Sequence, residues 1–348
     1  MSVIKKKLLA DYESNHIVMV HPHMYRNKSH YSDLYTIFSS LNKIFLKNKT
    51  MQTIVFNENG KSENLYDLTD PSVSKTFYNC DDIWIRDYLP KIYISDGSKK
   101  MIRYRFNAYG EKYKYKNDNN FKEILNYVSD EIDLDNFVLE GGNLEFSARG
   151  ILITNMDCIK KNNNANYTIN VEEEINRMIE KLGINELFTI NLNGIIGDDT
   201  NGHIDNFIRF IDNETIVYFA SRDKSYCNYQ LACKLKKQVK DIVDRSKIIK
   251  RAIPLFHSKD DEFIKNGEIY PYSKLNFIAT TDCFIFPCIS NNRKSLQHDL
   301  DGLPSKTKIY VINTEAALTE YGGLHCLTAV SYTHLRAHET REDRGWRV

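Results

Sequence analysis

A mixed α/β fold of repeated strand–helix–strand units is predicted for this chain by three features of its sequence. Apolar runs of strand length recur in pairs with one helix-period segment between them, on a spacing of roughly 60–70 residues. No Pro/Gly/Ser-rich linker divides these units, and they share no sequence self-similarity. At 348 residues the chain can bury a large core, and its 42% hydrophobic and 27% charged residues are those of an ordinary globular protein.

In order, His16-Ile17-Val18-Met19-Val20-His21 reads as a short buried strand stopped by Pro22. Leu34, Ile37, Phe38, Leu41, Ile44 and Phe45 recur at helical spacing and predict a helix over 29–47. Strands are expected at 52–57, 82–87, 91–95 and 101–106, then a helix at 121–128. A second helix is expected at 171–182, with Val171, Ile175, Met178, Ile179 and Leu182 on one stripe. Strands follow at 137–140, 144–146, 151–154, 187–190, 203–211 and 215–219. A long helix over about 226–243 leads to strands near Ile248, Phe277, Phe284, Ile309 and Leu324. The polar stretches Asp118-Asn119-Asn120 and Lys160-Lys161-Asn162-Asn163-Asn164 read as surface loops. Residues 331–348 lack apolar periodicity and resemble translated adapter read-through. A single domain over 1–330 with a non-native, disordered tail is therefore expected, the natural C-terminus being missing or replaced.

Composition excludes several classes. A net charge of +1 gives no bulk attraction for nucleic acid or membrane. The basic start has no apolar h-region, so no signal peptide is expected, and the apolar runs are too short to span a bilayer. Seven scattered cysteines without a C-x-x-C pair argue against a disulfide framework or structural zinc, and for a reducing, cytoplasmic setting.

Four segments carry chemistry. In Asp82–Pro90 the alternation places Ile83, Ile85 and Asp87 on one strand face and Trp84, Arg86 and Tyr88 on the other. A buried Asp87 would need a cation or donors; in isolation a strand-end cap is the commoner reading. Glu140-Gly141-Gly142-Asn143 ends a strand in a carboxylate before glycines that admit close backbone approach, although a hairpin with a solvent-facing Glu is commoner. His203 and Asp205, two apart on an expected strand, share a side, as a satisfied core histidine would equally allow. Cys326 follows Gly322-Gly323-Leu324-His325; a buried structural cysteine is the alternative, and the glycine turn sets this one apart from the other six. A metal set built on His203 with Asp205, or His21 with His23, lacks a third ligand at diagnostic spacing. Lys112, Lys114 and Lys116, interleaved with Tyr113 and Tyr115, fit a solvated loop or lid better than a nucleic-acid surface. No Walker or Rossmann glycine loop is present. A thiol, an imidazole and several carboxylates are the groups needed to grip a planar guanidinium, attack its carbon and move protons.

In the order Trp84-x-Arg86-Asp87-x-x-Pro90, Glu140-Gly141-Gly142, Gly202-His203-x-Asp205 and Gly322-Gly323-x-His325-Cys326-x-Thr328, the motifs resemble the agmatine deiminase / bacterial peptidylarginine deiminase family, from about Val18 to Thr328. The resemblance implies a five-bladed α/β propeller (pentein) of ββαβ-type units around a central pocket. It implies Cys326 as nucleophile, His203 as general acid/base, Asp87 and Asp205 gripping the guanidinium, and Glu140 as a further acid in the site. Trp84, Tyr109 and Gly323 would contact substrate, and no metal or cofactor is implied. Phe106-Asn107-Ala108-Tyr109-Gly110 resembles the family's aromatic gate with Tyr109 where Trp is usual, and Asn201 stands where the family's D-T-D-G-H has Asp. Glu111 would suit a distal ammonium, whereas Arg103 and Arg105 would suit a carboxylate. The resemblance thus implies a small-molecule guanidino substrate, agmatine first, with arginine or peptidylarginine as the alternative and a non-catalytic binding protein as the second. No nucleic-acid or membrane partner is expected, and a homo-oligomer stays open.

Overall fold

Two parallel strands cannot be joined by a tight turn; they need a crossover, usually a helix. Five sheets use that device and add an antiparallel strand at one side. The computed structural model that shows this describes residues 6–22, 28–57, 66, 69–95, 98–119, 130–163, 169–303 and 307–331. Glu145–Phe146 pairs antiparallel with Ile151–Asn155, which pairs parallel with Glu186–Ile190 after two helices, Met156–Asn163 and Val171–Leu182. Ile208–Phe210, Thr215–Ser221 and Arg251–His257 repeat the plan around helix Tyr229–Arg245. Ile278–Ala279, Cys283–Cys288 and Lys308–Asn313 repeat it around Arg293–Asp301. Lys91–Ser95, Ser98–Arg105 and Asp130–Val138 have the same order, with Lys6–Leu8 added at the edge. The helix expected at 121–128 lies outside the described residues.

In the fifth sheet His16–Val20 runs parallel to Met51–Phe56 across helix Lys28–Asn48, and Val73–Phe77 extends it. Its antiparallel strand is Thr328–Ser331, so the end of the described chain closes onto its beginning. Ser14 Oγ donates to the Ser331 carbonyl at 2.7 Å, so Ser331 belongs to the fold and not to the tail. Residues 332–348 lie outside the described residues.

Helix Val171–Leu182 shows how local chemistry sets an element. Asn170 accepts the Glu173 N–H at its start, three glutamates occupy its first turn, and Gly183 stops it at φ 66. Ile175, Met178 and Leu182 are buried, the stripe the sequence predicts. Phe38, Leu41 and Phe45 of the first helix pack in one core with Ile17, Met19 and Ile54, each such burial worth about 1.5–3 kcal/mol. Among the described residues no helix is long and apolar enough to cross a membrane.

Four expectations are corrected. Residues 82–87 are not a strand: Ile85–Tyr88 is one helical turn with all four residues buried, so its apparent alternation reflects no solvent face. Residues 203–211 split into a 3-10 turn at Ile204–Asn206 and a strand at Ile208–Phe210. Leu324 lies in the turn before the last strand rather than on one. Over their described residues, 118–119 and 160–163, the two polar stretches are not surface loops. Asn163 ends helix Met156–Asn163 buried, its amide satisfying both the N–H and the C=O of Val138. Asp118 is buried and accepts the Asp81 N–H. Polar side chains that cap backbone edges are buried for that reason.

Candidate active site

Chain turns, not strand faces, bring the predicted residues together. The helical turn at 85–88 carries Asp87, the glycine turn at 141–143 follows Glu140, the 3-10 turn at 204–206 carries Asp205 just after His203, and Cys326 precedes the last strand. Asn143 ties two of these turns by accepting the N–H groups of Asn155 and Ile204 on its Oδ1.

Gly142 marks the point of convergence. A methyl on its Cα would lie 2.6 Å from His203 Nδ1, 2.7 Å from Asp87 Oδ1 and 3.2 Å from Asp205 Oδ2. Its N–H donates to Asp87 Oδ1 at 2.8 Å, and the Tyr109 hydroxyl donates to Asp87 Oδ2 at 2.8 Å. His203 Nε2 bonds Glu140 Oε2 at 2.6 Å, and its Nδ1 lies 3.5 Å from Asp87 Oδ1. Asn276 Nδ2 donates to Cys326 Sγ at 3.5 Å, and that sulfur is 4.0 Å from Asp205 Oδ2. Gly322 lies against the Trp84 ring and Gly323 against the Asn276 amide, each so close that a Cβ would clash.

Tyr109 reaches Asp87 from unusual backbone. Ala108, Tyr109, Gly110 and Glu111 all have positive φ, a left-handed turn that costs a non-glycine residue about 1 kcal/mol or more. The Tyr113 hydroxyl donating to Asp199 Oδ2 at 3.0 Å, and Lys112 donating to the Asp199 carbonyl, hold this stretch against the 198–200 turn. Trp84, Asp87, Tyr109 and Cys326 form the buried floor of the pocket, while half-buried Tyr113, Asp199, Glu320 and Tyr321 form its mouth. Arg103, Arg105 and Glu111 do not line it.

Burial pushes Asp87 up to about 6, helped by Glu140 and Asp205 and opposed by His203 and the Tyr109 hydrogen bond. Burial works against the charged form of His203, but Asp87, Cys158 and Glu140 hold its imidazolium well above the usual range. Asp205 is held low: burial would raise it, but its hydrogen bond and charge interaction with His325 outweigh that. Burial drives the Cys326 thiol up, and Asp205 and Asp87 add to this. The sulfur therefore needs a nearby cation to ionise.

Three buried polar atoms here have no hydrogen-bond partner: Glu140 Oε1, Asp205 Oδ1 and His203 Nδ1. Two are carboxylate oxygens, the acceptors that a planar N–H fork requires. Glu140, Cys158 and His203 lie within 4.8 Å of one another because His203 Nε2 and Cys158 Sγ both bond Glu140 Oε2.

Some participants were not readable as such. Cys158 hydrogen-bonds Glu140 Oε2 at 3.8 Å. Asn276 touches the sulfur, and Asp11, Arg86, Arg209 and Glu145 form a buried charged cluster behind Asp205. His325 was visible in the cysteine motif and Arg86 in the tryptophan motif; Asp11 and Asn276 have no local signal.

The model of the Porphyromonas-type peptidyl-arginine deiminase family matches residues 9–330. The chain belongs to that family, a class of hydrolases acting on guanidino C–N bonds. An agmatine deiminase of Stutzerimonas stutzeri is 29% identical over 209 residues, a match spanning 56% of each chain, so this chain covers little more than half of that relative's length. A crystal structure provisionally described as a peptidyl-arginine deiminase is 26% identical with a TM-score of 0.82, covering 95% of this chain and 99% of that one. A solved C. jejuni agmatine deiminase with substrate bound is 22% identical with a TM-score of 0.78, covering 97% and 99%; it is similar in fold. The mixed α/β fold expected from the sequence is thus that of the guanidino-modifying deiminases.

Proposed function

We propose that this chain hydrolyses agmatine to N-carbamoylputrescine and ammonia, and that the five sheets with a parallel crossover are the five blades of a propeller around the pocket. The carrying observation is the convergence of Asp87, Glu140, His203, Asp205 and Cys326 about Gly142 and the sulfur, with buried carboxylate oxygens left unpartnered. With His203 an imidazolium, Asp87 and Glu140 leave one negative charge in excess, which a bound guanidinium neutralises.

The reaction needs only these groups. The bound cation favours the thiolate, and Cys326 Sγ bonds to the guanidinium carbon. The thiol's proton goes to solvent as the thiolate forms; the C–N bond to one terminal nitrogen then breaks, and ammonia leaves with the proton of the His203 imidazolium, which becomes neutral. Water, deprotonated by His203, then adds to the thiouronium carbon, the C–S bond breaks, and the ureido product and the thiol are regenerated.

The mouth favours agmatine over free arginine. Asp199 and Glu320 present carboxyl groups that suit a distal ammonium, whereas no arginine or lysine is among the lining residues to receive a carboxylate. Lys112 approaches, but its amine is bonded to the Asp199 carbonyl. The family's description as peptidyl-arginine deiminases keeps a peptide as the second reading. Ammonia release from agmatine, free arginine and an arginine peptide separates these: agmatine turning over fastest supports the proposal, and no release from agmatine removes it. Silence with all three would point instead to a binding protein.

A further inference from the structure

The search for chemistry outside the reacting groups leads behind Asp205. His325 Nδ1 lies 2.7 Å from Asp205 Oδ2, and its Nε2 lies 2.7 Å from Asp11 Oδ2. Asp11 comes from the 3-10 turn at Asp11–Glu13, far from the reacting groups in sequence. It also pairs with Arg86 Nη2 at 3.1 Å and Arg209 Nη2 at 3.0 Å, and Arg209 Nε bonds Glu145 Oε2 at 2.9 Å.

We propose that Asp11 is a positioning residue of the substrate pocket: through the His325 ring it holds Asp205 as an anion, one oxygen tied back and the other left to the guanidinium. A neutral imidazole carries one N–H, and a carboxylate only accepts. Two contacts of 2.7 Å to two carboxylates therefore need a proton on each ring nitrogen. Burial, followed by Arg209 and Arg86, pushes His325 down to about 4. The contacts outweigh that tendency, because a neutral ring would set a lone pair against a carboxylate oxygen at the same distance. Among the directly bonded groups, Asp11, Asp205 and Glu145 then balance Arg86, Arg209 and His325. Beyond these, Asp205 faces His203 and the Cys326 thiol, and Lys91 faces Asp11 and Glu145. Asp205 Oδ1 is buried without a partner.

The inference rests on the guanidino reading of the pocket, so its test has one arm that needs no substrate. In the parent protein, imidazole 15N shifts of His325 should show both nitrogens protonated at neutral pH, and a neutral ring would overturn the proposal. In the Cys326→Ser background, agmatine affinity is measured from about pH 5 to 9. Asp11→Asn should weaken binding on the order of 10-fold at neutral pH. The loss should grow as pH falls, because Asp205, deprived of a charged donor, becomes easier to protonate. Asp11→Glu should restore most of the affinity. Unchanged binding, or a loss equal at every pH that follows a drop in Tm, would overturn the proposal. If the parent background binds no agmatine, the substrate reading fails while the 15N spectrum still decides the state of the ring; should Asp11→Asn not fold, that spectrum of the parent again decides.

Discussion

Asp87 and Asp205 both lie buried against Gly142, and their surroundings drive them in opposite directions. Asp87 has Glu140 and Asp205 for neighbours and is pushed up to about 6; its two oxygens are held by the Gly142 N–H and the Tyr109 hydroxyl. Asp205 leans on His325 and, beyond it, on two guanidinium groups, and is held low with one oxygen open. Burial alone would have raised both. One acid, bonded by neutral donors with the His203 ring 3.5 Å away, is still pushed up by burial, while the other is held low, chiefly through His325. In the proposed reaction this would pair a fixed clamp on one side of the guanidinium with an adjustable one on the other.

The largest test of the pocket is loss of its sulfur. Cys326→Ala should lower kcat by at least about 10⁴-fold, read as ammonia release, while agmatine binding to both aspartates persists in calorimetry. Next is the shared wall: Gly142→Ala would drive a methyl onto His203 and both aspartates. It should cost about 10³-fold in kcat/KM and roughly 1–3 kcal/mol of stability in thermal unfolding. Asp87→Asn and Asp205→Asn should each cost about 10²–10³-fold, but only the first should change the acidic side of the pH profile. In the parent, kcat/KM should rise with pH through about 6 as Asp87 ionises, since a raised carboxyl is protonated and a poor clamp below that value. A parent limb unchanged in Asp87→Asn would break the comparison. Smallest is Tyr109→Phe, which should cost about 10-fold. It should also move that limb to higher pH, because the lost hydrogen bond favoured the anion.

Much of this was legible in the chain. The helix at 171–182 was legible because one buried stripe, an Asn cap and a terminal glycine all agree with a single 3.6-residue period. Cys326, His203, Glu140, Asp87 and Asp205 were legible as motifs beside turns, although two of those turns read as strands. A buried turn has no wet face, so the alternation that marks a strand carries no information there. Asn163 and Asp118 read as solvent-facing because polarity was taken for exposure; each instead serves a backbone edge contributed by another segment.

Order, residue type and period are written along the chain, and they determined the α/β units and the set of side chains offered for chemistry. Folding alone decided which acids meet and how each is charged. Coulomb interaction and desolvation depend on separation in space, and Asp11 contacts His325 across 314 positions of sequence.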